Sequence, residues 1–364
     1  QPDQLLTVLL IVEHRFIQHH QQVAIRQRQR GMRSAAERRA PVAMANQRRL
    51  GTVFDIQQRQ AAVAPAAVGG IPGNNGVMQR IAFAGAMGKF GVTETDIDAL
   101  FAGDLLNQCV GSAYGLLDFD VPYFGLYGAC STAAEGLALA AMAVSGGMLG
   151  RAAAVTSSHN AAAERQYRSP LEYGGQRPPT AQWTVTGAGA FIVGGVSGKA
   201  AALIADVMPG VVVEKGIKDA ANMGAAMAPA AADTILRYLD ATGRRPDDFD
   251  LIVTGDLGFE GNSILADLLT VSGVDVSRPG LLNDCGMMIF DRERQDVHSG
   301  GSGCGCSAVV LASHLLPRIS SGELREVLFI GTGAMMSPSS TKQGEAIPAV
   351  AHLIHLVSPA GGVA

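Results

Sequence analysis

The amino-acid sequence predicts an α/β fold made of two duplicated βα halves, with central parallel or mixed sheets packed on helices. Residues 91–105 and 243–257, 152 positions apart, each show a helix-ending glycine, an Asp-apolar-Asp turn, a short apolar strand and Gly-Asp-Leu. A second pair, GACS at 128–131 and CGCS at 304–307, precedes an Ala-rich apolar stretch each time, at an offset of 176. Two echoes in the same order indicate a duplication, with an insertion of about 24 residues in the second half.

The elements of each half follow from apolar runs and the signals between them. In the first half, 121–127 is typical of a strand, 132–144 of a helix and 152–156 of the next strand, which together make a βαβ unit. In the second half, 251–253 and 327–330 are the matching apolar strands. We therefore expect domains at 77–198 and 199–357, a tail at 358–364, and an atypical low-complexity segment at 1–76 that is rich in Gln and Arg.

Composition and charge restrict the class of protein. Only 16% of the 364 residues are charged, 48% are hydrophobic and 45 are glycine, which is typical of a well-buried α/β protein. The net charge of −4 provides no field for nucleic acid, so no nucleic-acid partner is expected. The apolar run at 5–12 is far shorter than the roughly 20 residues of a membrane span, so we expect neither a signal peptide nor a transmembrane segment.

The five cysteines form an odd set without CxxC pairs, which favours free thiols in a reducing compartment. Their spacing does not fit a structural zinc site. The sequence therefore predicts no metal and no cofactor.

Polar residues gather where the strands of the first half end. The carboxyl ends of parallel strands meet at one edge of a sheet, where open α/β proteins bind ligands. We therefore expect a ligand-binding set at this edge, extended by an arginine from the following turn and by the aspartate of the second Gly-Asp-Leu. Its members are Asp104, Asn107, Gln108, Cys130, Ser157, Ser158, His159, Asn160, Arg177 and Asp256.

Cys130 is the one nucleophile candidate in this set. It precedes Thr132 and Glu135, a capping-box pattern that would place the thiol at a helix N-terminus and favour the thiolate. A small buried residue in a tight turn explains the same pattern equally well. For Arg168 and Arg177, a carboxylate-binding role competes with plain solvation.

Several strings resemble the stage V sporulation protein AD family: 103–108, 128–132, 156–164, 179–190, 222–233 and 300–308, within a match from Val77 to Val357. The resemblance implies a thiolase or ketoacyl synthase fold. It also implies a sporulation protein that binds dipicolinic acid, taken up as its calcium chelate, and that attaches peripherally to the spore inner membrane beside membrane proteins of the same operon. A homodimer follows by analogy with thiolases.

Two functions remain open at this point. An acyltransferase would use Cys130, but ketoacyl synthases resembling this chain carry a histidine about where Gly255 stands, beside Asp256. His159 and His298 are the remaining substitutes for that histidine. A binding protein needs only shape and hydrogen-bond donors. The sequence thus favours a non-catalytic protein; a structural partner of membrane proteins, with a vestigial pocket, is a third hypothesis.

Overall fold

The computed structural model describes residues 54–55, 61–63, 67–69, 75–168, 176–195 and 200–361. Most of the segment predicted as atypical, 1–76, lies outside these residues, as does the end of the predicted tail. The strands are β1 Phe54–Asp55, β2 Ala61–Val63, β3 Ala67–Gly69, β4 Ala99–Gly103, β5 Tyr123–Leu126, β6 Arg151–Ser158, β7 Trp183–Thr184, β8 Gly187–Gly195, β9 Ala202–Met208, β10 Leu251–Thr254, β11 Leu282–Asp284, β12 Gly301–Ser302, β13 Glu326–Ala334 and β14 Ala349–Val357.

Nine α-helices lie within the described residues. They are α1 Asn75–Phe90, α2 Val110–Leu116, α3 Thr132–Ser145, α4 Met223–Thr242, α5 Gly258–Val271, α6 Cys285–Met288, α7 Cys304–Val310, α8 Leu316–Ser320 and α9 Pro338–Lys342. Helix α1 ends before Gly91 and α4 before Gly243, both with a positive φ, as the helix-stop signals predict. None of these helices is both long and apolar enough to span a bilayer.

The sheet repeats one strand order in the two halves. Its order is β11-β10-β13-β14-β9-β2-β8-β6-β4-β5, with β1 beside β9 and β3 beside β8. In the first half β4 pairs in parallel with β5 and β6, and β6 pairs antiparallel with β8. In the second half β10, β11, β13 and β14 repeat these pairings. The predicted duplication is therefore confirmed by topology.

Alternate strand residues face different helices, as the period of two in a strand requires. On β8, Phe191 and Val193 join a core with α3 and α7, whereas Ala190 and Ile192 face α1 in a second core. On β13, Val327 and Phe329 join the α3 core, while Leu328 and Ile330 pack with α4 and α5. Helices α3 and α7, which follow the two cysteine motifs, are thus buried between the strands of the two halves.

Candidate functional site

A cavity of about 610 Å³ opens beside the strand ends of both halves. The first half contributes Asn107, Tyr127, Cys130, Glu164 and Arg168 to its wall, and the second half contributes Ser302 and the segment 334–340. Glu164 follows β6, and the segment 334–340 begins at the last residue of β13, so equivalent positions in the duplicated topology border the same cavity. Its volume lies within the usual range of small-molecule sites, roughly 300–1,000 Å³.

Cys130 sits in a single 3₁₀ turn, Ala129–Ser131, directly before α3. Ala129 adopts a positive φ of 52°, a left-handed conformation that is unfavourable for alanine. The Cys130 side chain is buried and its Sγ lies 4.0 Å from Ser302 Oγ. The turn therefore brings the thiol against a hydroxyl that is 172 residues distant in the chain.

Of the two explanations for the Cys130 pattern, the structure favours a small buried residue in a tight turn over a thiolate at a helix N-terminus. A hydrogen bond with Cys304, burial and the charge of Asp256 raise the pKa of the Cys130 thiol well above its ordinary value. The capping box is absent too, because α3 begins at Thr132, whose Oγ1 donates to Ala129 O at 2.7 Å, and its N-cap residue makes no side-chain cap. Burial and a nearby carboxylate outweigh the helix N-terminus, so the thiol stays protonated.

Asp256 organises the second-half side of the cavity. Its Oδ2 accepts from Ser302 Oγ at 2.7 Å and from Gly303 N at 3.2 Å, and its Oδ1 accepts from Thr332 Oγ1 at 2.9 Å. Gln182 Nε2 donates to the Asp256 carbonyl at 2.6 Å. The buried carboxylate thus holds Ser302 in place next to Cys130.

Glu164 and Arg168 are the charged groups of the cavity wall. Arg168 Nη2 lies 3.6 Å from Glu164 Oε2, and Arg168 Nε donates to Thr184 Oγ1 at 3.0 Å. The Arg168 side chain is only 5% exposed and that of Glu164 1%, yet Arg168 Nη1 and Glu164 Oε1 have no hydrogen-bond partner. Buried polar atoms are rarely left unpaired, so this pair has one donor and one acceptor that no protein group satisfies.

Comparison with known proteins identifies the family. The sequence profile of the stage V sporulation protein AD family matches residues 43–357. The stage V sporulation protein AD of Bacillus subtilis (strain 168) is 47% identical over 267 residues, covering 73% of this chain and 78% of that protein. The chain belongs to the stage V sporulation protein AD family. The match begins at residue 43, earlier than the resemblance from Val77 indicated.

Solved structures establish the fold. Xanthomonas campestris OleA with bound cerulenin has a TM-score of 0.57 at 12% identity, covering 84% of this chain and 100% of that chain. AbyA1, a tetronic acid condensing enzyme, has a TM-score of 0.54 at 15% identity, covering 81% and 99%. The predicted thiolase-like fold is confirmed, and the family is one of sporulation proteins.

The predicted ligand-binding residues do not share one cavity. Asn107 and Cys130 line it, and Asp256 reaches it through Ser302. Ser157 instead accepts a hydrogen bond from Gln79 Nε2 at 3.0 Å, on the α1 side of β6. Ser158 faces the other way, where its Oγ donates to Val185 O and accepts from Gly305 N. These two serines pack elements together because neighbouring strand residues point to opposite faces.

The remaining predicted residues also lie away from the cavity wall. Asp104 is fully buried and accepts three hydrogen bonds from its own half. Gln108 occupies a left-handed turn, and His159 Nδ1 accepts from the backbone of Ala161 and Ala162. Asn160 Oδ1 accepts from Thr184 Oγ1 at 3.2 Å, and Arg177 stacks on Trp183 and pairs with Asp296. Of these, Asn160 alone connects to the cavity, through the Thr184 hydroxyl that holds Arg168.

Sequence reasoning missed most of the cavity wall. Glu164 and Ser302 were not predicted, and Arg168 was weighed against solvation without being selected. The Glu-x-x-x-Arg spacing after a strand was the available signal for the pair, whereas Ser302 lay within a glycine-rich loop. Among the described residues no group of three or more His, Cys, Asp or Glu side chains is placed to hold a metal ion, and all five cysteines are free.

Proposed function

We propose that this sporulation protein binds dipicolinic acid in the Cys130 cavity, for uptake into the developing spore. The observation that carries the proposal is the buried guanidinium of Arg168, a residue that lines the cavity and whose Nη1 has no hydrogen-bond partner. A buried guanidinium donates strong, charge-assisted hydrogen bonds to carboxylates. The family relation supports a sporulation ligand, and the cavity volume suits a small planar dicarboxylate.

Three features favour binding over acyl transfer at Cys130. The thiol has a raised pKa, whereas a nucleophile needs the thiolate. No histidine is among the cavity-lining residues that the structure describes, and His298 pairs instead with Pro178 O and Asp296. Asp256, hydrogen-bonded to Ser302, brings negative charge towards the place where an oxyanion would form.

Calorimetric titration with dipicolinic acid, with and without calcium, tests the binding proposal. Arg168→Ala should weaken binding by about tenfold or more, since a hydrogen bond to a charged group contributes roughly 1.5–3 kcal/mol. Arg177→Ala is the matched control, because it removes a partly buried arginine that also has an unpaired Nη1 but pairs with Asp296 and does not line this cavity. Unchanged affinity in Arg168→Ala, or loss only in Arg177→Ala, would place the ligand elsewhere.

Intact-mass spectrometry after incubation with acyl-CoA or acyl-carrier-protein thioesters tests the alternative function. We expect no adduct on Cys130. A stoichiometric adduct that Cys130→Ser abolishes, followed by transfer to an acceptor, would establish an acyltransferase of the kind the fold supports.

We expect the chain to form a homodimer through its first half. Strand β5 ends the sheet order, and its residues Tyr123 and Phe124 are exposed. Tyr114 of α2 and Leu117, directly after that helix, are exposed as well. An apolar sheet edge of this kind favours association. Light scattering should find a dimer that Phe124→Arg dissociates and that Met148→Arg, at an exposed position outside these elements, leaves intact.

Family membership also supports peripheral attachment to the spore inner membrane, beside membrane proteins of the same operon. Fractionation of spores should recover the protein with inner membranes and release it with carbonate. Recovery only in the soluble fraction, in the presence of the operon's membrane proteins, would oppose this part of the proposal.

A further inference from the structure

The cavity proposed for a dianion also contains a buried carboxyl group. Glu164 lines the wall, is almost completely inaccessible, and leaves Oε1 without a hydrogen-bond partner. An ionised ligand carboxylate beside an ionised Glu164 would place like charges together in a region of low dielectric constant. One of the two must therefore be neutralised when the ligand binds.

The charged and titratable groups around Glu164 do not neutralise the negative charge that an ionised ligand would add. Arg168 is the cation that faces it, at 3.6 Å, and it is shared with the ligand. The other titratable groups that interact with Glu164 follow β4 and β10 or lie in the Cys130 turn, in α7 and in the 3₁₀ turn Glu164–Tyr167. They are Asp104, Asp256, Cys130, Cys304 and Tyr167. All of these are acids, so none can balance a second negative charge.

We infer that Glu164 binds the ligand as a carboxylic acid, donating a hydrogen bond from protonated Oε1 to one ligand carboxylate while Arg168 Nη1–H donates to a carboxylate oxygen. The inference rests on the proposed function. No covalent bond other than the Oε1–H bond forms, and its proton comes from the buffer acid, whose conjugate base stays in solution. Glu164 then determines which ionic form binds: the dianion together with one proton.

In the free protein, Glu164 already takes up a proton more readily than an exposed glutamate does. Burial raises the pKa of Glu164 to about 7, partly opposed by Arg168 and reinforced by Asp256 and Asp104. An arriving dianion raises that pKa further. At pH 8 most free protein has an ionised Glu164 and must take up a proton, whereas at pH 6 most of it already holds that proton. Affinity should therefore fall above pH 7, by up to about tenfold per pH unit.

Calorimetry in two buffers of different ionisation enthalpy, phosphate and Tris, measures this proton directly. With calcium-free dipicolinate, the wild-type protein should take up close to one proton per ligand at pH 8 and almost none at pH 6. Glu164→Gln carries a permanent N–H donor, so its affinity should be independent of pH from 6 to 8 and its heat independent of the buffer. Glu135→Gln is the matched control, since Glu135 is also a buried carboxyl with a raised pKa but lies outside the cavity wall.

The outcomes separate this inference from the proposed function. Tight binding by the wild-type protein at pH 8 without proton uptake overturns the role of Glu164 and leaves dipicolinate binding standing. Uptake that persists in Glu164→Gln, or disappears in Glu135→Gln, assigns the proton to another group and also overturns it. Absence of any binding at pH 6 refutes the proposed function itself. If Glu164→Gln does not fold, the buffer and pH dependence of the wild-type protein decide alone.

Discussion

The two Gly-Asp-Leu segments occupy equivalent places in the duplicated sheet and have different roles. Asp104 follows β4, and its Oδ1 and Oδ2 accept from the backbone N–H groups of Leu106 and Ser112. Asp256 follows β10 and accepts from the side chains of Thr332 and of Ser302, which lines the cavity. In the duplicated fold, Asp104 therefore stabilises its own half, whereas Asp256 positions a residue of the candidate site.

The segments after β6 and β13 differ in a similar way. The first carries the charged pair Glu164 and Arg168, whereas the second borders the cavity with Ser337, Ser339 and Ser340. The cavity therefore has a charged wall from one half and a hydroxyl-bearing wall from the other. The duplicated fold thus determines the positions of the two segments that border the cavity, and their side chains determine which ligand the cavity can bind.

The largest expected difference is in the stability lost when the glycine of each Gly-Asp-Leu segment, Gly103 or Gly255, is replaced by alanine. A Cβ at Gly103 would lie 2.1 Å from Leu126 O, a backbone atom of neighbouring strand β5, whereas at Gly255 the nearest atom, Thr332 N, is 3.1 Å away. Gly103→Ala should lower the free energy of unfolding by about 3 kcal/mol or more, and Gly255→Ala by roughly 1 kcal/mol. Urea denaturation of both variants measures this difference, and equal losses of stability would contradict it.

Replacing Asp104 or Asp256 by asparagine should lower the stability of the protein by different amounts. In Asp104→Asn the new NH₂ group must face a backbone donor at either position, which should cost about 2–4 kcal/mol of stability. In Asp256→Asn the NH₂ can face the Thr332 hydroxyl, which can also accept, so the loss should be about 1 kcal/mol. Thermal and urea unfolding test this order, and a greater loss in Asp256→Asn contradicts it.

Glu164 should make the stability of the protein depend on pH, whereas the serines of the segment after β13 should not. Because the pKa of folded Glu164 is raised to about 7, the folded state retains a proton that the unfolded state loses near pH 4.5. The stability of the wild-type protein therefore falls from about pH 4.5 to 7 relative to Glu164→Gln, by on the order of 3 kcal/mol. Denaturation between pH 5 and 8 measures the difference, with exposed Glu94→Gln as the control.

The smallest expected effect concerns Cys130. Its raised pKa should make alkylation by iodoacetamide at pH 7.5 slower than in the urea-unfolded chain. Asp256→Asn removes one cause of the raised pKa and should accelerate the reaction. Asp104→Asn should not, since Asp104 is not among the groups that shift this thiol. Peptide mass spectrometry gives both rates.

The sequence by itself determined the duplicated α/β fold, the main strands of both halves and the family. These follow from local patterns: apolar runs, glycine stops and motif strings read along the chain. It also placed Cys130 at the edge of the sheet where the cavity lies.

Only the tertiary structure decided which polar residues face the cavity. Ser157 and Ser158 are adjacent, yet one packs against Gln79 and the other against Gly305, because strand residues alternate between faces. Ser302 reaches Cys130 across 172 residues, since helices α3 and α7 are buried side by side between the two halves. The protonated state of the thiol likewise depends on burial and on Asp256, and both arise only when the halves pack together.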